Sequence, residues 1–84
     1  MVTKQQVLSY TAIFDPDGEG GFTVTVPALP GLVTEGDTFE EARAMAIEAI
    51  QFHLEGLREL GEELPIEDEA EPIRVEKLGV QVVA

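Results

Sequence analysis

The sequence predicts an α+β fold, a two-layer β-β-β-α-β arrangement with one main helix packed on one face of a mostly antiparallel sheet. Three observations predict it. Two β-branched and aromatic runs flank a connection rich in Gly and Asp, a capping box opens a long stretch of helical period, and strand-like composition returns near the C-terminus. At 84 residues the chain is read as a single domain, 1–84.

The first strand is expected over about 7–14, where Val7-Leu8-Ser9-Tyr10-Thr11-Ala12-Ile13-Phe14 collects β-formers. It stops at Asp15-Pro16-Asp17-Gly18-Glu19-Gly20-Gly21, which is turn chemistry at nearly every position. A second strand over about 22–27 follows, with Phe22, Val24 and Val26 alternating onto one face. Pro27 ends it for want of an N–H, and Pro27-Ala28-Leu29-Pro30-Gly31 reads as a fixed bend. A short third strand is expected over about 31–35, closed by Gly36-Asp37. Thr38-Phe39-Glu40-Glu41 then fits the capping box, and the helix is expected over about 39–60, with Gly61 as its stop. Its apolar face is Phe39, Ala42, Ala46, Ile50, Leu54 and Leu57, expected to lie over Phe22, Val24 and Val26. An acidic connector over 62–71 leads to a fourth strand at about 73–83. A right-handed crossover through the helix places that strand beside the first, giving the sheet order 3-2-1-4.

Charge narrows the function classes. Five Lys and Arg against 17 Asp and Glu leave a net charge of −12. Nucleic-acid affinity rests on basic groups neutralising phosphates, so no direct nucleic-acid binding is expected, and an anionic membrane surface is disfavoured for the same reason. A basic protein partner is favoured. The chain has no cysteine and no apolar run of membrane-spanning length, and a cytoplasmic location is expected.

Catalytic chemistry is thinly supplied. There is one serine, Ser9, one histidine, His53, and no G-x-S-x-G elbow. Asp15, Asp17, Glu19 and Gly20 follow the opening of an EF-hand loop, but the twelfth position is Val26 where a bidentate Glu is required. An acidic hairpin turn accounts for the same residues. No catalytic residue, cofactor or metal is therefore assigned, and the protein is not expected to be an enzyme. Met45, Phe52 and Gly56 form a second apolar stripe on the helix, offset from the first. Met45 and Phe52 are the candidate interface of a homo-oligomer, a dimer or tetramer.

The run from Asp17-Gly18-Glu19-Gly20-Gly21-Phe22 through Val26-Pro27-Ala28-Leu29-Pro30-Gly31, with Thr34-Glu35-Gly36-Asp37-Thr38, Glu40-Glu41-Ala42 and Ala46-Ile47-Glu48-Ala49-Ile50, resembles the HicB-like antitoxin family. The likeness spans roughly residues 8–60. It implies a partial ribonuclease-H-like unit of three antiparallel strands, a helix and a returning strand. It also implies an antitoxin of a type II toxin-antitoxin system, one that neutralises a HicA-like toxin, a small basic mRNA interferase, by direct contact. Many relatives carry a DNA-binding module after this domain. Here residues 62–84 alone follow Gly61 and begin with an acidic run, so no DNA-binding domain is expected.

The expectation is thus a stand-alone HicB-like antitoxin whose acidic loops cover a basic toxin. The candidate partner-binding residues are Asp15, Asp17 and Glu19 in the hairpin turn and Glu35 and Asp37 before the helix. Two other readings stand beside it: a metal-dependent nuclease on a ribonuclease-H-like scaffold, and an orphan homo-oligomeric interaction module.

Overall fold

The structure, a computed structural model, describes residues 8–67 and 73–83. Val7, expected to open the first strand, and residues 68–71 of the acidic connector lie outside the described residues. The element order is β1 (Ile13–Pro16), β2 (Phe22–Thr25), β3 (Val33–Gly36) and α1 (Phe39–Glu59). The strands form one antiparallel sheet in the order β1-β2-β3, with Phe14 opposite Val24 and Val24 opposite Thr34. The fold is α+β, one helix on three antiparallel strands.

The ladders are shorter than the β-propensity suggests, and the bend after β2 is the reason. Leu29 N–H donates to the Val26 carbonyl at 2.9 Å, and Leu32 N–H donates to the Leu29 carbonyl at 3.1 Å. These turns withdraw Val26 from pairing, so residues before Ile13 have no strand opposite them. They also delay β3 to Val33. The bend has a second effect that the sequence pattern did not reveal. It buries Leu29, which with Val24 and Val26 is among the largest fully buried side chains.

Alternation puts Phe22, Val24, Phe14 and Thr34 on the face toward α1, while Thr23, Thr25, Asp15 and Glu35 take the other face. Val24, Ala42 and Ala46 form the buried cluster, with Ala12, Phe14 and Phe22 packed against it. Phe39 caps this cluster at the start of α1, its ring 4.8 Å from Phe14 and 5.6 Å from Phe22, between centroids. The helix rests mainly on β3. Gly36 allows that contact, because a Cβ there would fall 2.6 Å from Ala42 Cα and 2.8 Å from the Glu41 carbonyl carbon.

Both helix ends follow their local signals. Thr38, in an extended conformation, accepts at its hydroxyl the Glu41 N–H, and Glu40 and Glu41 sit at the positive end of the helix dipole. At the other end, Gly61 N–H donates to the Arg58 carbonyl and Glu62 N–H to the Leu57 carbonyl, a Schellman closure that needs the left-handed Gly61 at φ 73°. The 21 residues of α1 span about 32 Å, whereas a strand of four residues spans about 13 Å. The helix therefore overhangs the sheet. Ile50, Leu54 and Leu57, expected in the core, are only half-buried for that reason.

After the helix the connector returns to the start of β1. The Tyr10 hydroxyl donates to the Pro65 carbonyl at 2.5 Å, and the Glu67 carboxylate accepts the Thr11 N–H at 2.7 Å and the Thr11 hydroxyl at 2.5 Å. These bonds hold the Glu67 carboxyl below its ordinary range, the hydroxyl bond contributing most. Burial first, and the Glu67 charge second, raise the Tyr10 phenol above its ordinary value. The expected fourth strand is corrected here. Residues 73–83 lie beyond any ladder and are exposed throughout, so the order 3-2-1-4 reduces to the three strands that are paired. Strand-forming composition alone supplies no partner edge.

Two outcomes follow from this packing. Gly36→Ala should destabilise the protein by about 1–3 kcal/mol, because backbone cannot yield to the added methyl. Gly56→Ala, on an open stretch of the same helix, should stabilise it by about 0.5–1 kcal/mol. Urea unfolding midpoints of the two variants should move in opposite directions. Separately, a carboxyl whose folded pKa is depressed adds stability that is complete above its unfolded value and lost as pH falls through the folded one. Protection of the Thr11 amide from exchange should therefore decline below about pH 4, where free Glu begins to protonate, and Glu67→Gln should remove that pH dependence.

Candidate functional site

The acidic candidates gather at one end of the sheet. The β1–β2 connection is tied by Asp17, whose Oδ1 accepts the Glu19 N–H at 2.7 Å and the Gly21 N–H at 3.0 Å. The Asp17 N–H donates in turn to the Gly21 carbonyl at 3.0 Å. Gly18 and Gly20, at φ 87° and 93°, supply the left-handed positions this tight return needs. Gly21 is buried in the crook, where a Cβ would meet Asp17 Oδ2 and the Gly36 carbonyl, each at 2.6 Å. That contact seats the turn against the end of β3.

The register then sets the remaining acids. Asp15 lies opposite Thr23 and Thr23 opposite Glu35, so the two carboxylates flank a threonine on the face away from the helix. Two strand spacings separate them, about 10 Å. Asp37 follows β3 directly, and its Cα lies 3.3 Å from where a Gly21 Cβ would stand. Asp15, Asp17, Glu19, Glu35 and Asp37 are all exposed, and so are Glu40 and Glu41 at the start of α1. The result is a broad, solvated, negative end whose backbone is held firm by the Asp17 turn. Among the described residues no group of three or more His, Cys, Asp or Glu is placed to hold a metal ion.

Met45 and Phe52 stand apart from that end. Phe52 is 79% exposed and Met45 40% exposed. Thirteen residues separate Phe52 from the first residue of α1, about 20 Å along the axis. Ile47, at 44% exposure on another side of the helix, was not singled out by the pattern. His53 is half-buried on the overhanging part of α1 and Ser9 is exposed. None of the described helices is long and apolar enough to cross a membrane.

This acid-tipped β-β-β-α unit has counterparts among known proteins. Residues 10–78 match the family described as HicB-like antitoxin of bacterial toxin-antitoxin system. The chain belongs to the HicB-like antitoxin family. Among its relatives, a UPF0150 protein of Thermoplasma acidophilum is 43% identical over 68 residues, covering 81% of this chain and 97% of that protein. A UPF0150 protein of Synechocystis is 37% identical over 67 residues, covering 80% and 85%. Antitoxin HicB 1 of Photorhabdus laumondii is 37% identical over 59 residues, covering 70% of this chain and 38% of the relative. No solved structure matches the chain.

The HicB-like chain thus presents two separable roles within one turn, charge and shape. Asp17 was expected both in the turn and among the partner-binding acids, and its side chain closes the loop. The Asp-x-x-x-Gly spacing was the signal for that role. Asp17→Ala should lower stability by about 1 kcal/mol through loss of exposed side-chain hydrogen bonds. Asp17→Asn, which keeps the accepting oxygen, should restore most of the melting temperature while removing one charge. Differential scanning calorimetry of both variants checks this.

Proposed function

We propose that this HicB-like protein is a non-enzymatic antitoxin that binds and neutralises a small basic HicA-like ribonuclease in the cytoplasm. The observation that carries the reading is the family match over residues 10–78. The charge pattern supports it, since a chain of net charge −12 with carboxylates arrayed on a rigid end is suited to cover a positive RNA-binding surface. In this reading Asp15, Glu19, Glu35 and Asp37 meet the toxin's basic groups, and Asp17 both joins them and holds the turn. Inhibition is by coverage, with no cofactor and no nucleic acid required. Met45 and Phe52 are available apolar contacts for a second copy on the overhanging helix.

The test is toxin-catalysed RNA cleavage titrated with this protein in the presence of chelator, the toxin being sought as a short basic protein encoded beside its gene. Cleavage should stop near stoichiometric addition. Undiminished cleavage at excess would defeat the proposal, and metal-dependent cleavage by this chain alone would favour the nuclease reading. Asp15→Lys, Glu19→Lys and Glu35→Lys together, with Asp17 left intact, should slow association by about tenfold or more. The unfolding transition should be unchanged. Stopped-flow association at two ionic strengths should show the difference shrinking as salt screens the exposed charges.

A further inference from the structure

The exposed side of α1 carries an order that the core does not use. Met45, Ala49, Phe52 and Gly56 recur at steps of four, three and four residues, the repeat of a coiled-coil seam. Large and small side chains alternate along it. Phe52 is 79% exposed and Met45 40%, and a Cβ built at Gly56 meets nothing within 4 Å. The seam is a row of alternating knobs and notches that the described residues leave open.

Charge along the seam is one-sided. Glu41, Glu48 and Glu55 follow one another at seven-residue steps, with Glu59 one turn further, and all four are exposed. At about 100° per residue they line one flank of the seam. Arg43 and Arg58, the arginines of α1, fall on the opposite side of the helix, about 150° from it.

These two features select the occupant. A partner helix must fill the notches with large side chains, offer small ones to Phe52 and Met45, and carry bases along one flank. A second copy meets the shape only in the antiparallel sense, with Phe52 over Ala49 and Met45 over Gly56. A two-fold axis of that kind sets each flank against itself, so Glu48 falls beside Glu55 of the second copy and Glu41 beside Glu59 of that copy. Like charges so placed repel. A parallel pair avoids the repulsion but stacks Phe52 on Phe52 and leaves the Gly56 notch empty. A basic helix meets both demands.

We propose that the Met45–Gly56 face of α1 receives an amphipathic helix of a basic protein partner, with its lysines or arginines ranged along the Glu41, Glu48, Glu55 and Glu59 flank. The inference rests on the reading of the partner as basic. It puts the apolar anchor of that contact on the helix, away from the acidic end of the sheet.

The probe is a synthetic peptide of about 20 residues, long enough to hold a helix, with Leu and Ala alternating on a seven-residue repeat and Lys on the flanks. It should bind the full chain one-to-one in calorimetry and shift the amide resonances between Met45 and Gly56. A peptide of the same composition with the repeat scrambled should bind at least about tenfold more weakly. Phe52→Ala should weaken the seam peptide by at least about tenfold, with circular dichroism unchanged because the ring is exposed. Gly56→Leu separates recognition from stability. It should raise the unfolding midpoint, since Leu favours the helix over Gly, while the filled notch weakens binding by a similar factor. Glu48→Gln with Glu55→Gln should flatten the salt dependence of binding. The proposal is overturned by no binding of the seam peptide, by equal binding of the scrambled one, or by indifference to Phe52→Ala or Gly56→Leu. A dimer of the chain alone that Phe52→Ala dissolves would overturn it too, by assigning the face to a second copy. The assay contains no ribonuclease, so its failure leaves toxin inhibition standing and is distinct from a failure of that inhibition.

Discussion

Where β3 ends, the sheet backbone at Gly36 meets the first turn of α1 so closely that no side chain fits between them. Much of the structure depends on that approach. It requires small residues beneath the helix, and Ala42 and Ala46 are the buried ones. It leaves a short reach from strand to helix, which Thr38 spans by capping Glu41. Because β3, the hairpin turn and the helix start then converge, the carboxylates near each of them converge too. Asp37 and Gly21 are neighbours for this reason, and Glu40 and Glu41 stand at the positive end of the helix beside them. The acidic end is thus a consequence of helix docking as much as of composition.

The same docking limits the core. With α1 seated chiefly on β3 and longer than the strands, its C-terminal half has no sheet below it. Among the described residues the buried hydrophobic side chains are Val24, Val26, Leu29, Ala42 and Ala46, a small core. The aromatic trio Phe14, Phe22 and Phe39 extends it at one end, with Phe14 and Phe22 edge-to-face at 6.4 Å. The Tyr10, Thr11 and Glu67 bonds fasten the returning connector at another. Among the described residues the overhanging half of α1 and residues 73–83 leave further apolar surface uncovered.

Features fixed by neighbours in sequence were legible from the sequence. The Thr38 cap, the Gly61 stop, the alternation of Phe22 and Val24 and the hairpin through Gly18–Gly21 each rest on interactions a few residues apart. So three of the four expected strands, the helix and the family were all legible in the residues. Features that depend on distant partners were not legible. Leu29 reads as part of an exposed bend, and only the return of Leu32 onto its carbonyl shows why it is buried. Asp17 reads as a turn acid, but the seating of Gly21 against the Gly36 carbonyl is not visible in the sequence. Residues 73–83 read as a strand because propensity registers side-chain type but not the presence of an edge. Leu54 and Leu57 read as core because periodicity identifies a face without giving the length of what lies beneath it.

The outer edge of β1 and the acidic end are separated by a single residue, Pro16, at the end of β1. On an open edge, a strand can be added only where backbone N–H and C=O groups face outward, and in the β1 register those positions are Ala12, Phe14 and Pro16. Pro16 has no N–H, so a ladder advancing along the edge loses its donor there. Beyond it the chain enters the Asp17 turn, where backbone groups are already bonded within the loop. An added strand is therefore confined to the Ala12–Phe14 stretch and stops short of the carboxylates at the tip. Proline on an edge strand commonly prevents unwanted pairing. Here its position ends the pairing-competent edge before the acidic turn begins, so the two features do not overlap.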